Sequence, residues 1–427
     1  MENLNVDTKI ENEIQHMVKN VIIKDRRFLD NEQLIRSEQY ELLSEIFNAN
    51  VRDEEIRELS GHFAPILRDD HPMHLALWGK TGTGKTLSMS FFLGILKRLC
   101  LKKGVEMWYE HLDITTPRPC FRALNDLACL LNASKRYKKG VCLDEFMLRI
   151  EDKLANYRGY LILFIDEIDN VRRDRNTFMA FLIRRLPQAI PAKVILVFAS
   201  NNLDWMSSLD PRVQSFLKIS ELVFKPYDAI DLKRILQIRV EKALHPGVVE
   251  PGVIEKIAAL SSREHGDARK AVALLARGAQ LAEKADSKVT LALVDQAAQQ
   301  IEKDRYVTMI STAPLQLQAT MAAVILAVRE RDGRPVVTGE AYDAYTSFCQ
   351  RAGIRSITPR AFGDLIAELD LYSFVRSPVR SMGRYGRTRQ IYLRLSEDLT
   401  SQIHDVILMN FELQGQTKAE GDCSKSS

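Results

Sequence analysis

Short apolar runs alternate along the first half of the chain with longer stretches of helical periodicity. HLALW (His74–Trp78), LILFID (161–166) and KVILVFAS (Lys193–Ser200) are strand-length and apolar nearly throughout, and VEMWYEHLD (residues 105–113) resembles a further strand. Runs apolar on both faces, separated by helical stretches, predict a parallel sheet covered on both sides. One of those helical stretches runs from Lys85 to about Leu99, and another lies within residues 30–47, where Leu34, Leu42, Leu43 and Ile46 fall at roughly helical spacing. After Phe224-Lys225-Pro226 the pattern changes. From residue 228 to about 304, Ala, Leu, Lys and Glu dominate and strand formers are few, which predicts an all-helical segment. A third change comes near Ile310: helical stretches at 321–330 and 340–352, a short helix, then two strands in SFVRSPVR and TRQIYLRL.

Between the first strand and its helix stands LWGKTGTGKT, residues 77–86. Gly79, Gly84, Lys85 and Thr86 satisfy G-x-x-x-x-G-K-[ST], with Gly82 and Thr83 inside the loop. Glycines let the backbone curl until successive N–H groups face phosphate oxygens, and the following helix adds the positive end of its dipole. Lys85 is placed to reach the β- and γ-phosphates, and the Thr86 hydroxyl to ligate Mg2+, so the expected ligands are ATP or ADP with Mg2+. In LFIDEID, Asp166 ends a buried strand on the side where open α/β sheets bind ligands, and is the second expected metal ligand. Glu167 follows it, placed to polarise an attacking water. Asn201 ends the next strand and can orient water or touch the γ-phosphate, although Asn202 could take that part. Arg269, at the start of a strong helix in REHGDARKAVALL, can reach the phosphates or simply form a salt bridge.

The C-terminal third carries a second kind of chemistry. Thr358 caps a helix opened by Pro359, and Phe362, Leu365, Ile366 and Leu369 make one apolar face. Arg360 falls at its exposed N-terminal end. The two strands that follow are joined by SMGRYGRTR, whose Arg384, Tyr385, Arg387 and Arg389 form a basic tip. From residue 355 to 394 there are eight arginines against three acids (Asp364, Glu368, Asp370). Helices plus a basic hairpin predict a winged helix on double-stranded DNA.

Composition narrows the rest. The formal net charge of the 427 residues is only +4, so any basic surface must be local. None of the six cysteines forms a C-x-x-C pair, which argues against zinc or a disulfide framework. No run is long enough to span a bilayer and the N-terminus has no apolar core, so a soluble, cytoplasmic, nucleoid-associated protein is expected.

In this order, the glycine loop, Asp-Glu pair, strand-end Asn and helical-segment Arg resemble an AAA+ ATPase. With SLDPRVQSFL, FKPYDAIDLKRILQIR and EHGDARKAVALL the chain resembles, over about residues 20–410, the archaeal origin-recognition-type replication initiators. The fold expected is an α/β AAA+ P-loop core (21–225), a helical lid (226–304) and a C-terminal winged helix (305–412), with a polar tail at 1–20 and a disordered tail at 413–427. The resemblance implies that Tyr227 and Arg239 lie near the nucleotide from the lid side. It implies that a family insertion at 113–131 touches duplex DNA, with Arg118 and Arg122 as the contacts. It also implies origin binding, recruitment of an MCM-type replicative helicase and paralogous initiators on adjacent sites, with ATP binding and slow hydrolysis as a switch. One departure stands out. Where many AAA+ proteins carry a Ser-Arg finger, this chain reads Gln214-Ser215-Phe216, with Arg212 nearby. The competing readings are a clamp-loader-like or motor ATPase, and a paralogue that acts as a negative regulator or transcription factor.

Overall fold

The computed structural model describes residues 22–30, 36–134, 142–381 and 387–423, the side chains of 36–38, 381, 387 and 412–423 excepted. The chain divides into two compact units, 1–294 and 295–427.

The first unit is built on a five-stranded parallel sheet in the order β2-β3-β4-β1-β5. The strands are β1 (His74–Trp78), β2 (Met107–Asp113), β3 (Tyr160–Asp166), β4 (Lys193–Ser200) and β5 (Ile219–Val223). Two-residue periodicity sends alternate side chains into two separate cores. Leu161, Leu163 and Ile165 of β3 join Ala76, Trp78, Leu196 and Phe198 on one face. Ile162 and Phe164 join Leu75, Leu77, Ile195 and Val197 on the other. Helices Cys120–Leu130 and Leu143–Leu154 cover the first face. Helices Asp53–Phe63 and Lys85–Lys102 cover the second.

β5 was not among the sequence-predicted strands. ISELV is too polar to read as a buried run because it lies at the sheet edge, paired only with β1. Beyond it come the lid helices Ala229–Ala243, Val253–Arg263 and Ala268–Lys284. The segment from residue 22 packs with these helices, although the sequence assigns it to the core. Ile23 bridges Leu244, Lys24 N–H donates to Ala243 O at 2.7 Å, and the Ile22 and Ile23 amides donate to Glu283 Oε1 at 3.1 and 3.0 Å.

In the second unit, helices Leu315–Glu330, Thr338–Arg351 and Pro359–Leu371 surround one core holding Val324, Tyr345, Phe362, Ile366 and Phe374. Four short strands complete it: β6 (Val336–Val337), β7 (Val375–Arg376), β8 (Val379–Ser381) and β9 (Arg387–Leu393). β9 pairs antiparallel with the other three. This is the expected winged helix, with β6 as an addition too short to show a period. Helix Glu397–Cys423 then runs through residues expected to be a disordered tail, with Leu399, Ile403 and Ile407 in the core.

Candidate functional site: a phosphate loop under a helical lid

The loop after β1 takes the curled form its glycines allow. Gly79, Gly82 and Gly84 have φ of 154°, 78° and 85°. The close approach matters as much as the dihedral. A Cβ at Gly82 would collide with the Asp267 carboxylate, one at Gly84 with the Tyr227 hydroxyl, and one at Gly79 with Phe224 O. The lid therefore lies directly on the loop. Ala268 N–H donates to Gly82 O at 3.3 Å and Asp267 caps the helix that carries Arg269.

Lys85 opens its helix and is only 8% exposed. Its ammonium donates to Gly79 O at 2.6 Å and Lys80 O at 3.0 Å. Burial holds its pKa below the usual lysine value, with the Asp166 charge opposing. The Thr86 hydroxyl forms a short hydrogen bond with Asp166 Oδ2. Burial pushes Asp166 upward, but facing His111 and the Thr86 hydroxyl outweigh it and hold the carboxyl below its ordinary range. The neighbouring Glu167 goes the other way: burial raises it first, then the charges of Asp166, Asp113 and Asp169. The two adjacent carboxyls are thus shifted in opposite directions by their surroundings, Asp166 downward and Glu167 upward.

Asn201 is exposed at the end of β4, its Nδ2 3.5 Å from Thr81 Oγ1. The neighbouring alternative is occupied: Asn202 Oδ1 accepts from Asp204 N–H at 3.0 Å in a local turn. Arg269 is exposed, and its side chain forms no ion pair among the described residues. Its charge is felt at both Lys85 and Glu167. Thr81, Gly82, Thr83, Gly84, Lys85, Thr86, Glu167, Asn201, Tyr227, Arg239 and Arg269 line one pocket. Tyr227 and Arg239, which the resemblance implies lie near the nucleotide, line the same pocket as the loop. Burial lowers Arg239 to about 10, and its Nη1 donates to Phe28 O at 2.6 Å.

Sequence reasoning missed three things here. Leu43, Ile46, Phe47, Ile235 and Val272 give the pocket an apolar end. Helical spacing marked the first two without giving them a role. Arg52 is 7% exposed at φ 69°. Its guanidinium donates to Thr83 O at 2.8 Å and Lys225 O at 2.5 Å, pairs with Glu55 at 2.6 Å, and stacks 3.9 Å from the Tyr227 ring. Asn170 donates to Glu167 Oε2 at 3.0 Å. Nothing local in VRDEE or EIDN marks either residue.

The candidate DNA contacts are unequal. Arg118 is spent internally, on Asp126 at 2.5 Å and on Thr116. Arg122 is exposed. Arg360 is exposed behind Thr358, whose Oγ1 accepts from Ala361 N–H at 3.4 Å. Arg389 is half-buried and its Nη1 donates to Ser377 O at 3.2 Å. Arg384 and Tyr385 lie outside the described residues, as does the Arg387 side chain. Arg355, Arg376, Arg380 and Arg394 are exposed on the same unit.

Family comparison agrees with this architecture. The AAA domain model matches residues 68–206, the Cdc6 AAA+ ATPase-type lid domain 233–299, and the CDC6 C-terminal winged helix domain 308–402. An ORC1-type DNA replication protein of Pyrococcus furiosus is 34% identical over 368 residues, covering 85% of this chain and 87% of that protein. The Aeropyrum pernix ORC1 protein, solved in complex with DNA, superposes with a TM-score of 0.72 at 31% identity, covering 90% of this chain and 96% of that one. The Aeropyrum pernix ORC2 protein in its ADPNP-ADP complexes shares the fold at 15% identity, with a TM-score of 0.53 over 92% of this chain and all of that one (100%). With its AAA domain, its Cdc6-type lid and winged helix, and this identity across most of its length, the chain belongs to the ORC1-type DNA replication proteins, the ORC1/Cdc6 initiators of the AAA+ class.

Proposed function

We propose that this protein is an ATP-controlled replication initiator that binds double-stranded origin DNA and helps to recruit the MCM-type replicative helicase. The carrying observation is the convergence of the glycine loop, Glu167, Asn201 and Arg269 on one lid-covered pocket, with Asp166 bonded to Thr86 behind it. A nucleoside triphosphate fits this donor set. Backbone N–H groups and Lys85 meet phosphate, and the apolar end formed by Leu43, Ile46, Phe47 and Ile235 suits a base. The all-oxygen pair Thr86 and Asp166 suits a hard cation such as Mg2+, which supplies charge neutralisation at the phosphates. Glu167 accepts a proton from the attacking water, Asn201 orients that water, and Arg269 places the lid's positive charge at the phosphates. The hydrolysis is slow, and ATP acts as a conformational switch between the core and its helical lid.

DNA contact rests on Arg360, Arg384, Tyr385 and Arg387 of the winged helix and on Arg122 after β2, while Arg389 and Arg118 are bonded within the protein. The relative from Aeropyrum pernix solved with DNA supports this reading. Footprinting of the purified protein on the origins of its own genome tests it. Protection of origin duplex is expected. Uniform binding to all duplexes would leave only non-specific affinity, and the initiator reading would fall.

A further inference from the structure

Residues 113–131, the stretch expected to meet duplex DNA, carry little free charge by themselves. Arg118 is spent on Asp126 and Thr116, which leaves Arg122 as the exposed arginine of the stretch. One cation makes a poor grip on a duplex, because affinity for the backbone grows with the number of phosphates neutralised.

The fold brings a second segment alongside. Beyond β3, Val171 bridges Arg118 in parallel. Arg118 N–H donates to Asn170 O at 2.9 Å, Arg172 N–H to Arg118 O at 3.1 Å, and Cys120 N–H to Arg173 O at 3.0 Å. These bonds fix residues 170–173 beside the run that enters helix Cys120–Leu130. Val171 is buried, Arg172 and Arg173 are exposed, and Arg122 is exposed in the first turn of that helix. Residues 118–122 and 171–175 together hold five arginines and one acid, Asp174. Arg118 is paired, and Arg175 donates to Ser208 Oγ at 2.7 Å. Arg122, Arg172 and Arg173 have no ion pair among the described residues. Three exposed cations therefore stand around one pairing of two chain segments, against a single carboxylate. Read along the sequence, VRRDR is a solvated turn after the acidic pair; only its pairing with 118–120 puts its charge beside Arg122.

We propose that Arg172 and Arg173 join Arg122 in a composite phosphate-binding surface, which extends the DNA contact of the first unit beyond residues 113–131. This rests on the reading of that stretch as a DNA contact. Paired segments lie about 5 Å apart, and phosphates of one DNA strand follow one another at about 3.4 Å of helix rise. Arginines on the two segments are thus spaced for neighbouring phosphates of one strand. Such contacts position the duplex and carry no sequence preference.

The test uses the full chain in three variants: Arg172→Ala with Arg173→Ala, Arg172→Lys with Arg173→Lys, and Arg122→Ala. Fluorescence anisotropy of a random-sequence duplex and of an origin duplex is titrated over a range of salt. The alanine pair is expected to reduce the slope of log K against log salt by about two units on both duplexes, and Arg122→Ala by about one. The lysine pair, which keeps the charge, is expected to stay within about half a unit of wild type. A slope that Arg122→Ala lowers and the alanine pair does not confines the contact to 113–131 and overturns the proposal alone. A slope that only the alanine pair lowers separates the two segments and overturns the composite surface. Unchanged slopes in both overturn it together with the reading of 113–131 as a DNA contact. A lysine pair as weak as the alanine pair, or an alanine pair weakened on one duplex only, overturns it as well, because charge at phosphates is kept by lysine and is blind to sequence.

Discussion

Lys85 already donates to two loop carbonyls, Gly79 O and Lys80 O, while buried beneath the lid. It is the one cation the motif aims at the β- and γ-phosphates. Lys85→Ala is therefore expected to weaken ATP by about 10–100-fold, the worth of one to two charged hydrogen bonds, read as equilibrium binding of labelled nucleotide. Unchanged affinity would remove the phosphates from this loop. Arg52 is a cation held against the loop from outside it, and its work is indirect. It holds Thr83 O and Lys225 O while stacked on Tyr227, so it joins the phosphate loop to the start of the lid. Arg52→Ala strands two carbonyls and Glu55, and is expected to cost about 2 kcal/mol of stability by thermal or denaturant unfolding. Nucleotide-induced stabilisation should shrink with it. A variant that melts normally and is stabilised normally by ATP would make the clamp inert. The two residues show what was readable. Lys85, Thr86 and Asp166 act at fixed spacing from a strand end, so a local pattern reveals them. Arg52 acts through a left-handed backbone and a hydrogen-bond partner 173 residues away, which no window contains.

The winged-helix hairpin decides a question among elements. Charge alone makes Arg360 and Arg389 equal candidates for DNA. The fold separates them: Arg360 is exposed at the start of helix Pro359–Leu371, while Arg389 of β9 bonds back to Ser377. Arg360→Ala should lower duplex affinity and reduce the slope of log K against log salt by about one unit. Arg389→Ala should leave that slope nearly unchanged and cost about 1 kcal/mol of folding stability instead. Salt titrations of both variants by fluorescence anisotropy give the comparison, and equal slopes would undo the distinction. Long apolar strands and strongly periodic helices were visible from the sequence because their own burial writes the pattern. β6 has two residues and β5 is a polar edge, so neither could write one. Among its described side chains, helix Glu397–Cys423 buries a narrow stripe, Leu399, Thr400, Ile403 and Ile407, and the polar residues between hid it.

For the whole molecule, what matters is what the ATP is for. The pocket is lined by Thr86, which bonds Asp166, and by Glu167, the strand-end Asn201 and the lid's Arg269, the set proposed above for a slow hydrolysis event. Where many AAA+ proteins carry a Ser-Arg finger, this chain reads Gln214-Ser215-Phe216. Gln214 is exposed but bonded to its own segment, its Nε2 donating to Met206 O and Leu209 O at 2.9 Å each, and Phe216 is 53% exposed. Where a finger operates it is worth about 10³–10⁵ in turnover, so its loss separates a switch from a motor. The arginines of the winged helix belong to the second compact unit, built on its own core, so duplex affinity does not need continuous hydrolysis in the first. Steady-state turnover below ~1 s⁻¹ is expected, the low end for enzymes generally, with duplex DNA changing it far less than a finger would. Origin duplex should bind with similar affinity in ADP and in ATP, because nucleotide alters the lid rather than the winged-helix arginines. Turnover with and without duplex, and anisotropy in each nucleotide state, measure the two halves. Fast turnover driven by DNA, with the duplex released in ADP, would mean that the chain works as a motor and that the finger is supplied by another residue, with exposed Arg212 the first to substitute.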